Sequence, residues 1–344
     1  MTCSDRDEER GMRVVQDAGF GPFTAVVPLP SRMDPAPPTS VVLPTRKWTD
    51  ACTAVASQLG PDDELLLVCD DESDPVAARV DSPEGNGLPA GVRVISAGEP
   101  VGCSGKANAI AAGMEAARHD RIVWTDDDFH HPPDWLARLH ADYNRHGPVT
   151  ELPFFVGRDP LALLVEPQYV LGGTFGIYVG KRVWAGAVLF DRADLERGLD
   201  HFLAELRRTV SDDGLLSEHL DVTPLRRTRR VEIGGSIRET LERHVRFVQI
   251  VWRHDPRGTV IGSGIGAGFA VGSVAFPVPA LVLSTLLAAC VYAAVGVRRW
   301  TFLLAYPAVL TLVPLLAYGL ARRTFVWGGR RYRWRSRFDV TVVE

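Results

Sequence analysis

The sequence predicts an α/β fold, a mostly parallel sheet covered by helices on both faces, followed by apolar helices suited to a membrane. Three observations carry this. Short apolar runs alternate with helix-length segments between residues 40 and 125, as in a parallel sheet built from strand-helix units. Two of those runs end in acids, Cys69-Asp70-Asp71 and Thr125-Asp126-Asp127-Asp128, and such sheets bind ligands beyond the carboxyl ends of their strands. Finally, no charged side chain occurs from Gly258 to Val297, nor from Trp300 to Ala321. A membrane helix needs roughly 20 apolar residues.

Taken in order, residues 1–39 are acidic and then rich in proline, which predicts a poorly ordered lead-in. Strands are expected at Ser40 to Leu43, Glu64 to Cys69, Val92 to Ile95 and Ile122 to Thr125, with helices at Lys47 to Leu59 and Lys106 to Arg118. The α/β domain is expected to fill 40–257, the membrane region 258–321, and a basic tail 322–344 containing Arg322, Arg323, Arg330, Arg331, Arg333, Arg335 and Arg337. Leu161 to Val179 is apolar but carries Glu166 and Gln168, so it reads as an interfacial or acceptor-facing element. The basic helix Arg238 to Arg253 suits a membrane surface, with Phe247, Ile250 and Trp252 dipping inward.

The membrane region holds two or three helices. Pro277 and Pro279 divide the longer stretch, whose front half is glycine-rich. A basic tail stays cytoplasmic by the positive-inside bias. With the α/β domain on the same side the number of crossings is even, and two are expected. The charged N-terminus, MTCSDRDEERGMR, has no apolar core of a secretory signal, which also places the α/β part in the cytoplasm. A net charge of -4 makes no case for nucleic acid, and five cysteines without paired spacing make none for zinc or a disulfide framework.

Clustered carboxylates repel one another unless a cation sits among them. Mg²⁺ or Mn²⁺ takes oxygen ligands, commonly one or two carboxylates plus substrate phosphates. Asp126-Asp127-Asp128 therefore reads as a metal-diphosphate site, against the plainer alternative of a solvated acidic turn before Pro132-Pro133. Asp126 and Asp128 are two apart, so both can face one ion while Asp127 points elsewhere.

In order along the chain, Val41-Val42-Leu43-Pro44-Thr45, Cys69-Asp70-Asp71-Glu72-Ser73-Asp74, Gly105-Lys106-Ala107-Asn108-Ala109 and the triple aspartate resemble a family 2 glycosyltransferase of GT-A fold. Trp184-Ala185-Gly186-Ala187 with Ser211-Asp212-Asp213 is similar to that family's acceptor-side segment. Arg243-His244-Val245-Arg246-Phe247 resembles the (Q/R)xxRW signature of ceramide glucosyltransferases and membrane polysaccharide synthases. The resemblance spans about residues 40–255.

It implies a nucleotide-sugar-binding fold in which Pro44, Thr45, Asp70, Asp71, Lys106 and Asp126 meet the donor. Asp126 and Asp128 would hold the metal. Asp213, beside Asp212, would take the acceptor proton, and Arg243 and Arg246 would face the diphosphate. Plainer roles stand beside these: Asp70-Asp71 as a loop cap, Lys106 as a surface cation, Asp212-Asp213 as acids after the N-cap Ser211. His130 is a candidate outer ligand. The sequence departs from the family at Arg46-Lys47-Trp48, at Glu72 and at Phe247.

The expected activity is inverting transfer of a sugar, glucose from UDP-glucose, to a lipid hydroxyl at the membrane. A polysaccharide synthase, a polyprenyl-phosphate glycosyltransferase and a non-catalytic membrane scaffold are the competing readings. A processive synthase needs more helices than two or three to form a channel. A phosphate acceptor needs no base.

Overall fold

The computed structural model describes residues 36–80 and 87–343. The expected lead-in lies almost wholly outside the described residues. The described residues open with β1 (Thr39–Pro44), α1 (Asp50–Ala56), β2 (Glu64–Cys69), β3 (Val92–Ser96), α2 (Gly105–Ala116), β4 (Arg121–Thr125) and α3 (Trp135–His146). The four strands, α1 and α2 agree with the sequence expectation to within a turn at every boundary, whereas α3 had no expected counterpart. Next come β5 (Val149–Gly157), α4 (Pro160–Tyr169), a π-helical stretch (Val170–Phe175), α5 (Gly176–Gly180), β6 (Ala187–Asp191), α6 (Leu199–Leu206), α7 (Asp212–His219), β7 (Thr223–Ile233) and α8 (Ile237–His254). Three apolar helices, α9 (Pro256–Ala275), α10 (Pro277–Ala294) and α11 (Ala305–Ala321), precede β8 (Thr324–Trp327), β9 (Arg330–Ser336) and β10 (Asp339–Val343).

The main sheet runs β3-β2-β1-β4-β6-β5-β7. β1 is central and parallel to β2 and β4, with Val42 beside Leu66 and Val41 beside Val123. Both faces are covered, which is why these strands read as unbroken apolar runs rather than alternating ones. One face sends Val42, Leu66, Ile122 and Trp124 into a core with Ile110, Met114 and Phe202. The other sends Val41, Leu43, Leu65 and Val123 against Trp135 and Leu139.

Ser104 caps α2 by accepting from the Ala107 N–H at 3.0 Å. Gly113 lets that helix lie directly on the sheet, because a Cβ there would stand 2.5 Å from Val42 Cγ1. Glu151 on β5 is fully buried, and Arg227 and Arg229 of β7 neutralise it at 2.8 and 2.5 Å. That triad locks the parallel β5–β7 pair at the edge of the sheet; breaking one partner of a buried pair costs about 3–5 kcal/mol.

The C-terminus departs from the expected basic tail. Residues 324–343 form an antiparallel sheet in the order β10-β9-β8. Its arginines hid the strand pattern: Tyr332 and Trp334 point inward while Arg333 and Arg335 alternate outward. Phe325, Tyr332, Trp334 and Val340 pack against Val210 and Val245 of the α/β domain. Gly328 and Gly329, both at positive φ, close the β8–β9 hairpin with two residues, a turn that only glycine makes at low cost.

Helices spanning Pro256–Ala275, Pro277–Ala294 and Trp300–Ala321 are each long and apolar enough to cross a membrane. The glycine-rich stretch is thus a full helix. Leu161 to Val179, expected to be interfacial, is helical throughout, and α4 packs on α11.

Candidate active site

A cavity of about 670 Å³ opens at the carboxyl ends of β1, β2 and β4. Pro44 and Thr45 at the end of β1, Asp70 after β2, Lys106 in the first turn of α2 and Asp126 to Asp128 after β4 all line it. So do Asp212 and Asp213, which open α7, and Arg243 and Arg246 on α8. Every residue expected at the site meets there except Asp71. Its carboxylate turns back to accept from the Ser73 N–H at 2.6 Å. Asp71 is therefore a turn-forming residue outside the cavity lining. His130 is exposed and does not line the cavity.

The three aspartates do three things. Asp126 takes the Lys106 ammonium at 2.6 Å. Asp127 accepts from the Thr45 hydroxyl at 2.6 Å, which binds it to β1 rather than to the cavity centre. Asp128 makes no ion pair among the described residues; crowding by protein and the Asp126 charge hold its carboxyl well above the usual range. Beneath them, His131 meets the Thr125 hydroxyl at 2.7 Å. Burial and Arg229 pull its imidazole down to about 4, so it stays neutral.

Gly186 shapes this floor. Its carbonyl accepts from the Asp126 N–H at 3.2 Å, and a Cβ on it would strike the Trp184 ring at 2.3 Å.

Lys106 joins the two acid groups, reaching Asp212 at 3.2 Å as well as Asp126. Burial pulls its pKa down, yet Asp126, Asp212 and Asp213 together leave it raised. Ser211 caps α7 by accepting from Gly214 N–H, which presents Asp212 and Asp213 from the first turn. Asp213 Oδ1 accepts from the Ala185 N–H. Burial, then the neighbouring Asp212 charge, push the Asp213 carboxyl up to about 7.

The opposite wall is cationic. Arg243 and Arg246 stand one turn apart on α8 and form no salt bridge among the described residues. Arg246 stacks over Trp327 at 4.1 Å and Phe247 at 5.3 Å. Burial and the like charge of Arg243 draw it down to about 10. Two unpaired guanidiniums facing an open cavity are suited to an anion.

Sequence reasoning missed the contribution of the C-terminal hairpin. Arg330 reaches Asp70 at 2.8 Å and Glu99 at 3.0 Å. Arg46 stands 3.6 Å from the same Asp70 oxygen. Tyr332 Oη accepts from the Gly105 N–H at 3.1 Å, at the start of α2. The readable signal was Trp327-Gly328-Gly329-Arg330, a two-glycine turn between β-prone residues.

No three His, Cys, Asp or Glu side chains among the described residues gather as a self-sufficient metal cage. Asp126 and Asp128 flank the cavity as an acid pair with one member unpaired. That donor set fits a hard divalent cation whose other ligands come from phosphate and water.

Residues 45–169 match the family described as Glycosyl transferase family 2. The match covers just over a third of the chain, from the end of β1 to the end of α4, and so gives the cavity-bearing α/β fold a segment similar in sequence to glycosyltransferases. No curated protein matches the chain. Among solved structures, glucosyl-3-phosphoglycerate synthase from Mycobacterium tuberculosis in complex with Mn²⁺, UDP-glucose and phosphoglyceric acid is similar at 20% identity, over 63% of this chain and 79% of that one, with a TM-score of 0.38. The same synthase in complex with UDP gives 19%, 63%, 80% and 0.39. Mannosyl-3-phosphoglycerate synthase from Rubrobacter xylanophilus gives 15%, 64%, 75% and 0.37.

Proposed function

We propose that this chain is a membrane-attached, metal-dependent inverting hexosyltransferase that moves glucose from UDP-glucose to a lipid hydroxyl at the cytoplasmic face. The observation that carries the reading is one cavity with an acid pair on one wall and two unpaired guanidiniums on the other. That arrangement suits a diphosphate bridged to a cation.

Asp126 and Asp128 would hold Mg²⁺ or Mn²⁺, which supplies Lewis-acid stabilisation of the diphosphate leaving group. Arg243 and Arg246 receive the remaining phosphate charge. Asp70 and Thr45 contact base and ribose, and Lys106 keeps Asp126 and Asp212 in place. Asp213 removes the proton from the acceptor hydroxyl as its oxygen attacks the anomeric carbon. One displacement without a covalent intermediate inverts the configuration there. The ceramide-glucosyltransferase-like signature at Arg243 to Phe247 and the neighbouring apolar helices support a lipid as acceptor.

The test is a lipid-extract assay with a panel of radiolabelled nucleotide sugars, with and without EDTA. Label from UDP-glucose entering a lipid fraction, and lost with EDTA, is expected. Label entering only water-soluble phosphorylated acceptors removes the lipid assignment. Transfer that survives in Asp126→Ala/Asp128→Ala removes the metal site.

A further inference from the structure

Four ends of the apolar helices decide how a membrane can hold them, whatever reaction the cavity performs. α9 follows α8 directly, and its start is tied to the α/β domain by Arg182 with Asp255 at 2.9 Å. The end of α10 returns to that domain, where Arg226 of β7 donates to the Ala294 carbonyl at 2.6 Å. Just before α11, Arg299 pairs with the fully buried Glu166 of α4 at 3.0 Å. Just after it, Arg322 pairs with Glu242 of α8 at 3.0 Å.

Between those two pairs α11 follows the domain along its length. Gln168 of α4 donates to Thr311 at 3.1 Å. Gly319 lies so close to α8 that a Cβ there would stand 2.8 Å from Val248. A helix fixed at both ends and along one side to α4 and α8 has no free end to send across a bilayer.

The remaining place is the corner between α9 and α10. Phe276 ends one helix and begins the other, without a loop. From Val274 to Leu283 no side chain is polar. A turn emerging into water on a far side would expose that run. The corner exposes few backbone donors, since Phe276 N–H reaches Gly272 and Ala280 N–H reaches Phe276 at 2.9 and 3.1 Å, and Pro277 and Pro279 carry no N–H. It is suited to hydrocarbon. The corner is also held down beside the domain, because Tyr306 at the start of α11 donates to the Ser273 carbonyl at 3.3 Å.

We propose that α9, α10 and α11 form a monotopic slab seated in one leaflet of a bilayer, with none of the three crossing. A helix about 10–12 Å across fits a leaflet whose hydrocarbon is roughly half of about 30 Å. Acyl chains cover the outward face, where Ile265 and Val271 are each 70% exposed. Exposed Arg257, Arg298 and Arg323 mark the slab's edges, where anionic headgroups of the same leaflet attract them. The slab stands against the two crossings expected from sequence.

The test uses the full chain with its own five cysteines replaced by alanine, in sealed vesicles of both orientations. A membrane-impermeant maleimide is applied to Arg298→Cys, Phe276→Cys and Gly272→Cys, the last at a position with open space around it. Arg298→Cys should label from the catalytic face alone. The other two should label from neither face until detergent is added. Labelling of Phe276→Cys or Gly272→Cys from the opposite face overturns the slab in favour of a crossing hairpin. Recovery of the washed chain in the aqueous fraction, away from phosphatidylcholine–phosphatidylglycerol vesicles, overturns membrane seating altogether.

Discussion

The acidic and basic walls of the cavity are built in different ways. The acids come from strand ends and helix starts, positions the parallel sheet creates by itself: Asp70 after β2, Asp126 and Asp128 after β4, Asp213 at the first turn of α7. The cations come from a helix and a hairpin that the sheet does not specify. Arg246 needs α8 laid across the cavity, and it rests on Trp327, which lies after the last apolar helix. The acidic wall is therefore local in sequence, and the basic wall is assembled by tertiary packing alone. Substitutions on the first wall should remove chemistry, while those on the second should change how the donor is held.

The largest effect is expected at the acid pair. Asp128→Ala should lower kcat by about 10³-fold, at the upper end for one electrostatic contact in a reacting site. Chelation of divalent cations in the unaltered enzyme should lower it by a similar factor. If Asp128→Ala keeps most of its activity but remains sensitive to EDTA, the ion is held elsewhere.

Asp213 comes next. A general base contributes about 10²–10⁴-fold, and Asp213→Asn should lower kcat at the low end of that range, about 10²-fold, and leave donor KM near its original value. Because its folded-state carboxyl is raised to about 7, the base is protonated below that pH. The acid limb of kcat/KM should accordingly fall near 7. Lys106 lowers the Asp213 pKa, so Lys106→Met should move that limb upward. An acceptor that is already ionised needs no base; an Asp213→Asn enzyme of nearly full activity would point to a phosphate acceptor.

On the basic wall the expected change is smaller and of another kind. A charge-assisted hydrogen bond contributes about 1.5–3 kcal/mol, so Arg246→Ala should raise donor KM by roughly 10- to 100-fold. Arg246→Lys should recover part of this, limited by loss of the flat stacking surface on Trp327. Equal losses at Arg246 and Asp213, each in kcat alone, would erase the distinction between the walls.

This contrast also explains what was legible in the sequence. The βα alternation, the acids at strand ends and the capped start at Ser211 are local signals, and each expected donor-side residue except Asp71 reached the cavity. Asp71 lies outside the lining because the Ser73 N–H draws its carboxylate into a turn. Arg330 was invisible because its partner Asp70 lies 260 residues away. The run of arginines also concealed the alternation of Tyr332 and Trp334. The packing of α11 on α4 and α8 likewise depends on Glu166 and Glu242, charges that sequence reading assigns to unrelated segments.

The smallest predicted effect tests whether the hairpin belongs to the donor site or merely rests on it. Arg330 holds Asp70 from one side at 2.8 Å, with Arg46 behind at 3.6 Å. With Arg330→Gln, the carboxylate keeps a counter-charge but loses the contact that fixes its orientation. The pair is partly exposed, which limits its worth to about 1 kcal/mol, or roughly a 5-fold rise in donor KM with kcat unchanged. Tyr332→Phe supplies the control, because it removes the acceptor of the Gly105 N–H without touching Asp70. That variant should lose about 1 kcal/mol of stability and leave donor KM as it was. If Arg330→Gln instead behaves like Tyr332→Phe, with a lowered melting temperature and unaltered KM, the hairpin is a strut and the donor site is complete without it.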